Sequence, residues 1–131
     1  MVLDYLQLMS SGKKVESRQQ EVSEFSRSLK LLAKELDVPV IALSQLNRGS
    51  EQRTDKKPMV SDLRESGSIE QDADMVMLLH REDIYDKESP RAGEADVIVA
   101  KHRNGPTKTI TVAFQGHYSR FANMAADAGG F

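Results

Sequence analysis

The sequence predicts an α/β fold with a partly parallel sheet, flanking helices and an antiparallel extension at the C-terminal end. Two apolar runs, 2–9 and 39–44, are typical of buried strands, and one amphipathic helical segment separates them. Strands joined in this way pair in parallel through a right-handed crossover. The β-rich segments 94–102, 109–114 and 118–121 then follow one another at spacings short enough for antiparallel hairpins.

The helical segment begins near Glu16, and Ser17 can cap its first turn. It ends at 37–39, because Pro39 disfavours helical backbone in the preceding residue. Apolar residues at steps of three and four form one stripe, which we expect to be buried: Val22, Phe25, Leu29, Leu32 and Leu36.

The middle of the chain combines two polar segments with a strand. Residues 46–58 are expected to form a polar loop, and a loop of this length without structure of its own is usually functional or disordered. Residues 59–71 are expected to form a short helix around Leu63 that Gly67 breaks. The apolar run 75–80 is expected to be another buried strand.

The composition is that of a soluble globular domain. The 131 residues suffice for one core, and 39% of them are hydrophobic and 29% charged. Cysteine is absent, which excludes disulfides and thiolate metal sites. No apolar run approaches the roughly 20 residues that span a bilayer, and no signal-peptide pattern follows Met1, so we expect a cytoplasmic protein without a membrane partner. The net charge of −2 limits nucleic-acid binding to local patches.

Polar residues follow the first two predicted strands. Asp4 ends the first apolar stretch, and Gln45 follows the second. In open α/β sheets ligands bind at the carboxyl ends of strands, where a carboxylate of the Walker B form holds Mg²⁺ through water. The amide of Gln45 can sense a phosphate or position a water. The simpler alternatives are a loop cap for Asp4 and ordinary loop entry for Gln45.

A basic pair, Lys101 and Arg103, lies at the end of the strand predicted at 94–102. Residues two apart on an extended segment point to the same side, so this pair can clamp a phosphate. The alternative is a solvated turn. The chain has three widely spaced histidines, which argues against a histidine metal site.

The stretch DLRESGSIEQDAD (62–74) is strongly polar and directly precedes an apolar strand. Backbone N–H groups in its glycine-containing turn, beside Arg64, are a plausible contact for nucleic-acid phosphates. Base stacking is less plausible, since aromatic residues make up 5% of the chain and tryptophan is absent. A solvated surface turn is the alternative.

Four stretches together carry a family resemblance: VLDYLQLM (2–9), SQLNR (44–48), KKPMVSDLRESGSIEQDADMVMLLHR (56–81) and KHRNGPTKTI (101–110). They closely resemble the C-terminal motor domain of bacterial replicative DNA helicases of the DnaB type. The resemblance runs from Val2 to about Phe121. It implies a RecA-like fold in a ring-shaped homohexamer that translocates on single-stranded DNA by hydrolysing ATP, with primase and a helicase loader as partners.

The same resemblance implies roles at the nucleotide. Asp4 looks like the Walker B aspartate that serves Mg²⁺. Gln45 looks like the residue that couples the γ-phosphate to the DNA-binding loops. Lys101 and Arg103 match a basic pair that reaches the ATP site of a neighbouring subunit, with Arg103 as the arginine finger.

At the DNA, Arg64, Glu65 and Gly67 match the loop that holds the single-stranded backbone, partly through main-chain amides. Lys108 departs from the family, which commonly has glycine in that turn.

The chain contains no GxxxxGK[ST] motif. We therefore expect residues 1–121 to be the C-terminal half of the motor domain, an incomplete RecA-like domain whose natural sequence extends upstream of Met1. Residues 122–131 are expected to form a flexible tail. A P-loop supplies the N–H cradle and the lysine for the phosphates, so we expect this fragment alone not to hydrolyse ATP.

Two other functions remain open on these residues. The chain can serve as a non-catalytic module that binds single-stranded DNA or a partner, or it can belong to a recombinase-like ATPase of the RecA type. The run DLRESGSIEQDAD favours the helicase over the recombinase.

Overall fold

A computed structural model describes residues 1–9, 17–54, 56–63 and 67–125. The chain divides into two compact units, Met1–Val76 and Met77–Phe131. No helix among these described residues is long and apolar enough to cross a membrane.

The first unit has the predicted order of strand, helix and strand, but the strand predicted at 2–9 is wrong beyond Leu3, because a 3₁₀ turn occupies Leu6–Leu8. Strand β1 (Val2–Leu3) precedes helix α1 (Arg18–Leu36), and strand β2 (Ile41–Ala42) follows it. The two strands pair in parallel, with Val2 opposite Ile41 and Leu3 opposite Ala42. The predicted parallel pairing is therefore confirmed, although the pair forms a two-stranded sheet of its own.

Helix α1 begins and ends where the sequence predicts. The Ser17 hydroxyl accepts a hydrogen bond from the backbone N–H of Gln20 at 3.2 Å, which satisfies one of the free donors of the first turn. At the other end Asp37 adopts the left-handed conformation, with φ 52°, and its N–H donates to the carbonyls of Ala33 and Lys34. Both local signals are thus confirmed.

The predicted apolar stripe of α1 is buried at only one end. Val22 is 1% exposed, whereas Leu36 is 55% exposed. The element that packs against this helix, α3 (Gly67–Asp72), has six residues against nineteen in α1. At 1.5 Å per residue, α3 is too short to cover the last turns of α1.

Polar contacts join α3 to α1. The Ser23 hydroxyl donates to the Ser68 hydroxyl at 2.9 Å, and the Ser26 hydroxyl donates to a carboxylate oxygen of Asp72 at 2.7 Å. Lys30 forms an ion pair with Asp74 just beyond the end of α3. Gly67 is the first residue of this helix, so the prediction that it breaks a helix is wrong. The helix predicted around Leu63 is instead a single 3₁₀ turn at Val60–Asp62.

The predicted strands at 39–44 and 75–80 are not buried on both faces. Ile41 in β2 is 52% exposed. Strand β3 (Met75–His80) alternates, with Val76 and Leu78 buried and the methionines and Leu79 exposed. An unbroken apolar run shows that a strand can be covered on both sides, but only the fold decides whether both sides are covered.

Four strands form the second sheet, in the order β3-β4-β5-β6. Strand β4 (Glu94–His102) has the predicted bounds, β5 (Lys108–Gln115) is one residue longer at each end, and β6 is Arg120–Ala122. The predicted antiparallel hairpins are confirmed, with Val97 opposite Ile110 and Phe114 opposite Phe121. A 3₁₀ turn at Gly116–Tyr118 occupies the predicted start of the last strand, which therefore begins later in the chain. Residues 126–131 of the predicted tail lie outside the described residues.

A cluster of charges anchors the loop before β4. The Arg91 guanidinium binds both carboxylate oxygens of Asp96, at 2.9 and 2.6 Å, and also contacts Glu94 at 3.0 Å. Asp96 is 4% exposed and accepts a further hydrogen bond from the Thr111 hydroxyl. The Arg91 guanidinium holds the pKa of Asp96 below its ordinary value of 3.8, although burial opposes this shift.

Replacing Arg91 with alanine should lower the free energy of unfolding by about 2 kcal/mol, because it leaves the buried Asp96 carboxylate without its cation. The half-exposed position of Arg91 keeps the loss at this moderate size. Urea unfolding at pH 7 measures it, with the exposed Lys87→Ala as control. Since the folded-state pKa of Asp96 is depressed, its contribution is present above the unfolded pKa of about 4. The difference between the proteins should shrink as the pH falls through the folded pKa, and a constant difference would contradict this account.

Candidate functional site

Asp4 and Gln45 follow the carboxyl ends of paired parallel strands. Beyond the paired residues, the Leu43 N–H donates to the Leu3 carbonyl at 2.9 Å, and the Leu6 N–H donates to the Leu43 carbonyl at 2.8 Å. The backbone on either side of Asp4 is therefore fixed against the segment that leads into Gln45. Both side chains are exposed, and the peptide bond after Asp4 is cis. This arrangement agrees with the common edge predicted from the sequence.

The donor set at this edge fits a magnesium ion held mainly by water and by a phosphate ligand. Among the described parts of the chain, no group of three or more histidine, cysteine, aspartate or glutamate residues could hold a metal ion. Mg²⁺ commonly retains several waters and is bound through one or two carboxylates plus substrate phosphates. The exposed carboxylate of Asp4 suits that mode of binding.

The segment after Gln45 is joined to the segment that precedes residue 64. Leu46 and Leu63 form an isolated antiparallel bridge. The Asn47 N–H donates to the Asp62 carbonyl at 2.6 Å. Gln45 is thus one residue from a backbone connection to Leu63.

The predicted DNA-binding residues are described only in part. Arg64 and Glu65 lie outside the described residues. Gly67 is exposed, and a Cβ placed on it would meet no atom of the described residues within 4 Å.

Arg53 and Asp62 form a contact that the sequence did not predict. Arg53 lies directly after helix α2 (Gly49–Gln52), in the segment expected to be an unstructured polar loop. Its two terminal nitrogens bind the two carboxylate oxygens of Asp62 at 2.7 and 2.8 Å. Arg53 and the Met59 N–H hold the pKa of Asp62 below its ordinary value against the opposing effect of burial. Several other charges occupy this stretch, so no spacing rule singles out this pair.

The basic pair Lys101 and Arg103 lies at the end of β4. Lys101 is half-buried within the strand, and Arg103 is exposed in the turn that follows His102. The strand ends before Arg103, so the alternation that predicted a common side for the pair does not extend to it. Both residues therefore lie near one turn, but the strand geometry does not place their side chains on the same side.

Gly105 shapes the turn that carries Arg103. Its N–H donates to the His102 carbonyl at 3.3 Å and closes the turn. A Cβ on Gly105 would lie 2.4 Å from Cε1 of His102, so a larger residue would force the imidazole to move.

Known proteins closely similar to this chain are replicative DNA helicases. The chain is 81% identical over 125 residues to the replicative DNA helicase DnaB of Leifsonia xyli, a match that covers 95% of the chain and 27% of the relative. It is 58% identical to the replicative DNA helicase DnaC of Bacillus subtilis, over 95% of the chain and 28% of that relative. The chain thus spans about a quarter of the length of these relatives.

Two solved structures share the fold. One is a DnaB-like replicative helicase described with its interactions with primase, with a TM-score of 0.91 and 54% identity over 95% of this chain and 30% of that one. The other is described as an ATPase domain, with a TM-score of 0.90 and 54% identity over 95% of this chain and 44% of that one. These neighbours identify the α/β architecture as a partial RecA-like fold. Residues 1–123 match the model of the family described as "DnaB-like helicase C terminal domain", and the chain belongs to that family.

Proposed function

We propose that the chain is part of the ATP-dependent motor of a bacterial replicative DNA helicase, which translocates on single-stranded DNA and unwinds duplex at the replication fork. The observation that carries the proposal is the family match over residues 1–123. The direct backbone connection between the Gln45 and Leu63 segments agrees with it. It joins the edge where a nucleotide would bind to the stretch where DNA would bind. The relatives named replicative DNA helicase support the same function.

At the nucleotide, Asp4 would hold Mg²⁺ through water, and the Gln45 amide would contact the γ-phosphate of ATP. The chemistry that a bound Mg²⁺ would supply is neutralisation of the charge on the phosphoryl oxygens. Lys101 and Arg103 reach the ATP site of the neighbouring subunit in a homohexamer. At the DNA, Arg64 pairs with a phosphate, and the backbone near Glu65 and Gly67 approaches the strand.

The proposal extends to partners and location. A helicase neighbour described with its interactions with primase supports primase as a partner, and a helicase loader is proposed on the family resemblance alone. Because bacterial replication takes place in the cytoplasm, the chain is placed there.

A full-length chimera tests the motor function. In it, this chain replaces the matching segment of the Leifsonia xyli helicase, which is 81% identical over 125 residues. We expect single-stranded DNA to stimulate the ATPase activity of the chimera and the chimera to unwind a forked duplex. A chimera that assembles and binds single-stranded DNA without ATPase activity would favour a non-catalytic binding module instead.

Replacing Arg64 with alanine in the chimera should weaken single-stranded DNA binding about tenfold, because one charge-assisted hydrogen bond to a phosphate is lost. The loss should be equal for different base sequences, since a phosphate contact carries no sequence information. The slope of log affinity against log salt should become shallower by about 0.7. Fluorescence anisotropy at several salt concentrations measures both quantities.

Arg27→Ala is the matched control, because it removes an exposed arginine from α1 and changes the net charge by the same amount. It should leave both the affinity and the salt slope unchanged. Equal losses in the two variants, or a loss at Arg64 that depends on base sequence, would contradict the proposed phosphate contact.

A further inference from the structure

Asp62 is hydrogen-bonded to three places in the first unit. Its carboxylate accepts both terminal nitrogens of Arg53 and the N–H of Met59, the last at 2.7 Å. Its carbonyl accepts the N–H of Asn47 at 2.6 Å. One buried residue therefore connects the end of α2, the start of the 3₁₀ turn and the segment that follows Gln45.

The strength of these contacts sets the pair apart from an ordinary surface ion pair. Exposed pairs contribute about 0–1 kcal/mol. Asp62 is 4% exposed, and its bidentate bond to Arg53 is geometrically specific as well as strong. Arg53 also donates to the Lys57 carbonyl at 2.7 Å, so the guanidinium is held at more than one point.

The position of the pair indicates what it fixes. On one side of Asn47 lies Leu46, which bridges Leu63 and directly follows Gln45. A rigid connection at Asp62 keeps the Leu46 and Leu63 segments in one register. A displacement of one segment then moves the other, whereas a loose connection would absorb the displacement.

We propose that Arg53 and Asp62 are a positioning pair that holds the Gln45 segment in register with the Leu63 segment and thereby couples the nucleotide site to DNA binding. The inference rests on the proposed function, and neither residue is placed in contact with nucleotide or DNA. The carboxylate of this pair is buried and its guanidinium is half-buried. Such an ion pair can be retained because it fixes one arrangement of the chain, even where it adds little net stability.

The test separates positioning from folding with two variants of the chimera. Arg53→Lys keeps the positive charge but cannot form the planar two-point contact. The double variant R53Q/D62N removes both charges, so it leaves no unpaired buried carboxylate, and its stability should be close to that of the parent. The matched control is Arg27→Gln, on the exposed face of α1.

Three quantities are measured for each protein: ATPase rate without DNA, single-stranded DNA affinity, and the factor by which saturating DNA raises the ATPase rate. For both Arg53 variants we expect the ATPase rate without DNA and the DNA affinity to stay within about twofold of the parent. The stimulation factor should fall about tenfold, which is a typical size for coupling between two sites. Urea unfolding of the same proteins reports stability.

Two kinds of result would overturn the positioning role. One is unchanged stimulation in both variants. The other is a result in which Arg53→Lys lowers all three quantities and the stability, while the double variant restores all of them. That result would indicate a purely structural contact. Failure of the proposed function itself looks different, since the unmodified chimera would then show no stimulation by DNA.

Discussion

Replacing Arg103 with alanine in the chimera is expected to lower the kcat of DNA-stimulated ATP hydrolysis about 10³-fold, with single-stranded DNA affinity within about twofold of the parent. An arginine finger stabilises negative charge that develops on the transferring phosphoryl group, and its removal costs this much or more. The loss corresponds to about 4 kcal/mol in the activation free energy.

The position of Arg103 suits a residue that acts on another subunit. It is exposed in the turn after β4, and the Gly105 N–H closes this turn by donating to the His102 carbonyl at 3.3 Å. An exposed guanidinium on a surface turn is available to a second subunit. Arg103→Lys should recover little activity, because an ammonium group lacks the planar fork.

Mixed hexamers test whether Arg103 acts across a subunit boundary. Arg103→Ala subunits keep Asp4, and Asp4→Asn subunits keep Arg103, so a mixture contains boundaries with both intact residues. ATPase activity should therefore appear in the mixture above that of either variant alone. Lys87→Ala, another exposed basic residue of the second unit, is the control and should retain full activity. An Arg103→Ala enzyme with normal kcat would contradict the finger role.

Local signals in the sequence predicted the ends of elements well. Ser17 and Pro39 fix the two ends of α1 through the backbone conformations that they favour or forbid, and neither effect depends on distant residues. The bounds of β4 and the antiparallel pairing after it also follow from alternation and short turns.

Burial was predicted less well, because it depends on what packs against each element. Leu36 and Val22 belong to the same apolar stripe of α1, yet of these two only Val22 lies where a neighbouring element covers it. Strand β3 likewise contains a continuous apolar run, but its methionines are exposed. Periodicity identifies which side of an element is apolar and cannot identify the length of its partner.

The contacts of Asp62 were outside the reach of sequence reasoning for a related reason. In the sequence it is the first acidic residue of a polar stretch, and a solvated position is the ordinary expectation for such a residue. In the fold it is buried, because Arg53 and the Met59 N–H satisfy its carboxylate. A family resemblance suggested the role of residues 62–74. The contacts that hold Asp62 in place are known only from the three-dimensional structure.

Replacing Asp4 with asparagine is the second change for which we expect a large effect. ATP hydrolysis by the chimera should fall about 100-fold at low millimolar Mg²⁺, because an amide carries no charge to hold the hydrated ion beside the phosphates. The apparent affinity for Mg²⁺ should fall as well, so activity should partly recover as the Mg²⁺ concentration is raised. ATPase rates measured across a Mg²⁺ titration give both quantities, with Glu35→Gln, an exposed carboxylate of α1, as control.

Asparagine also separates the metal role of Asp4 from the role of a loop cap. Asparagine and aspartate both stabilise turns through hydrogen bonds to nearby backbone, so a residue that only caps the end of β1 tolerates this exchange. Under that alternative, urea stability, ATPase rate and Mg²⁺ dependence should all match the parent. Under the metal role, stability is kept while the rate and the Mg²⁺ dependence change together. Because the substitution alters charge without altering size, a change confined to the Mg²⁺-dependent rate can be assigned to the carboxylate itself.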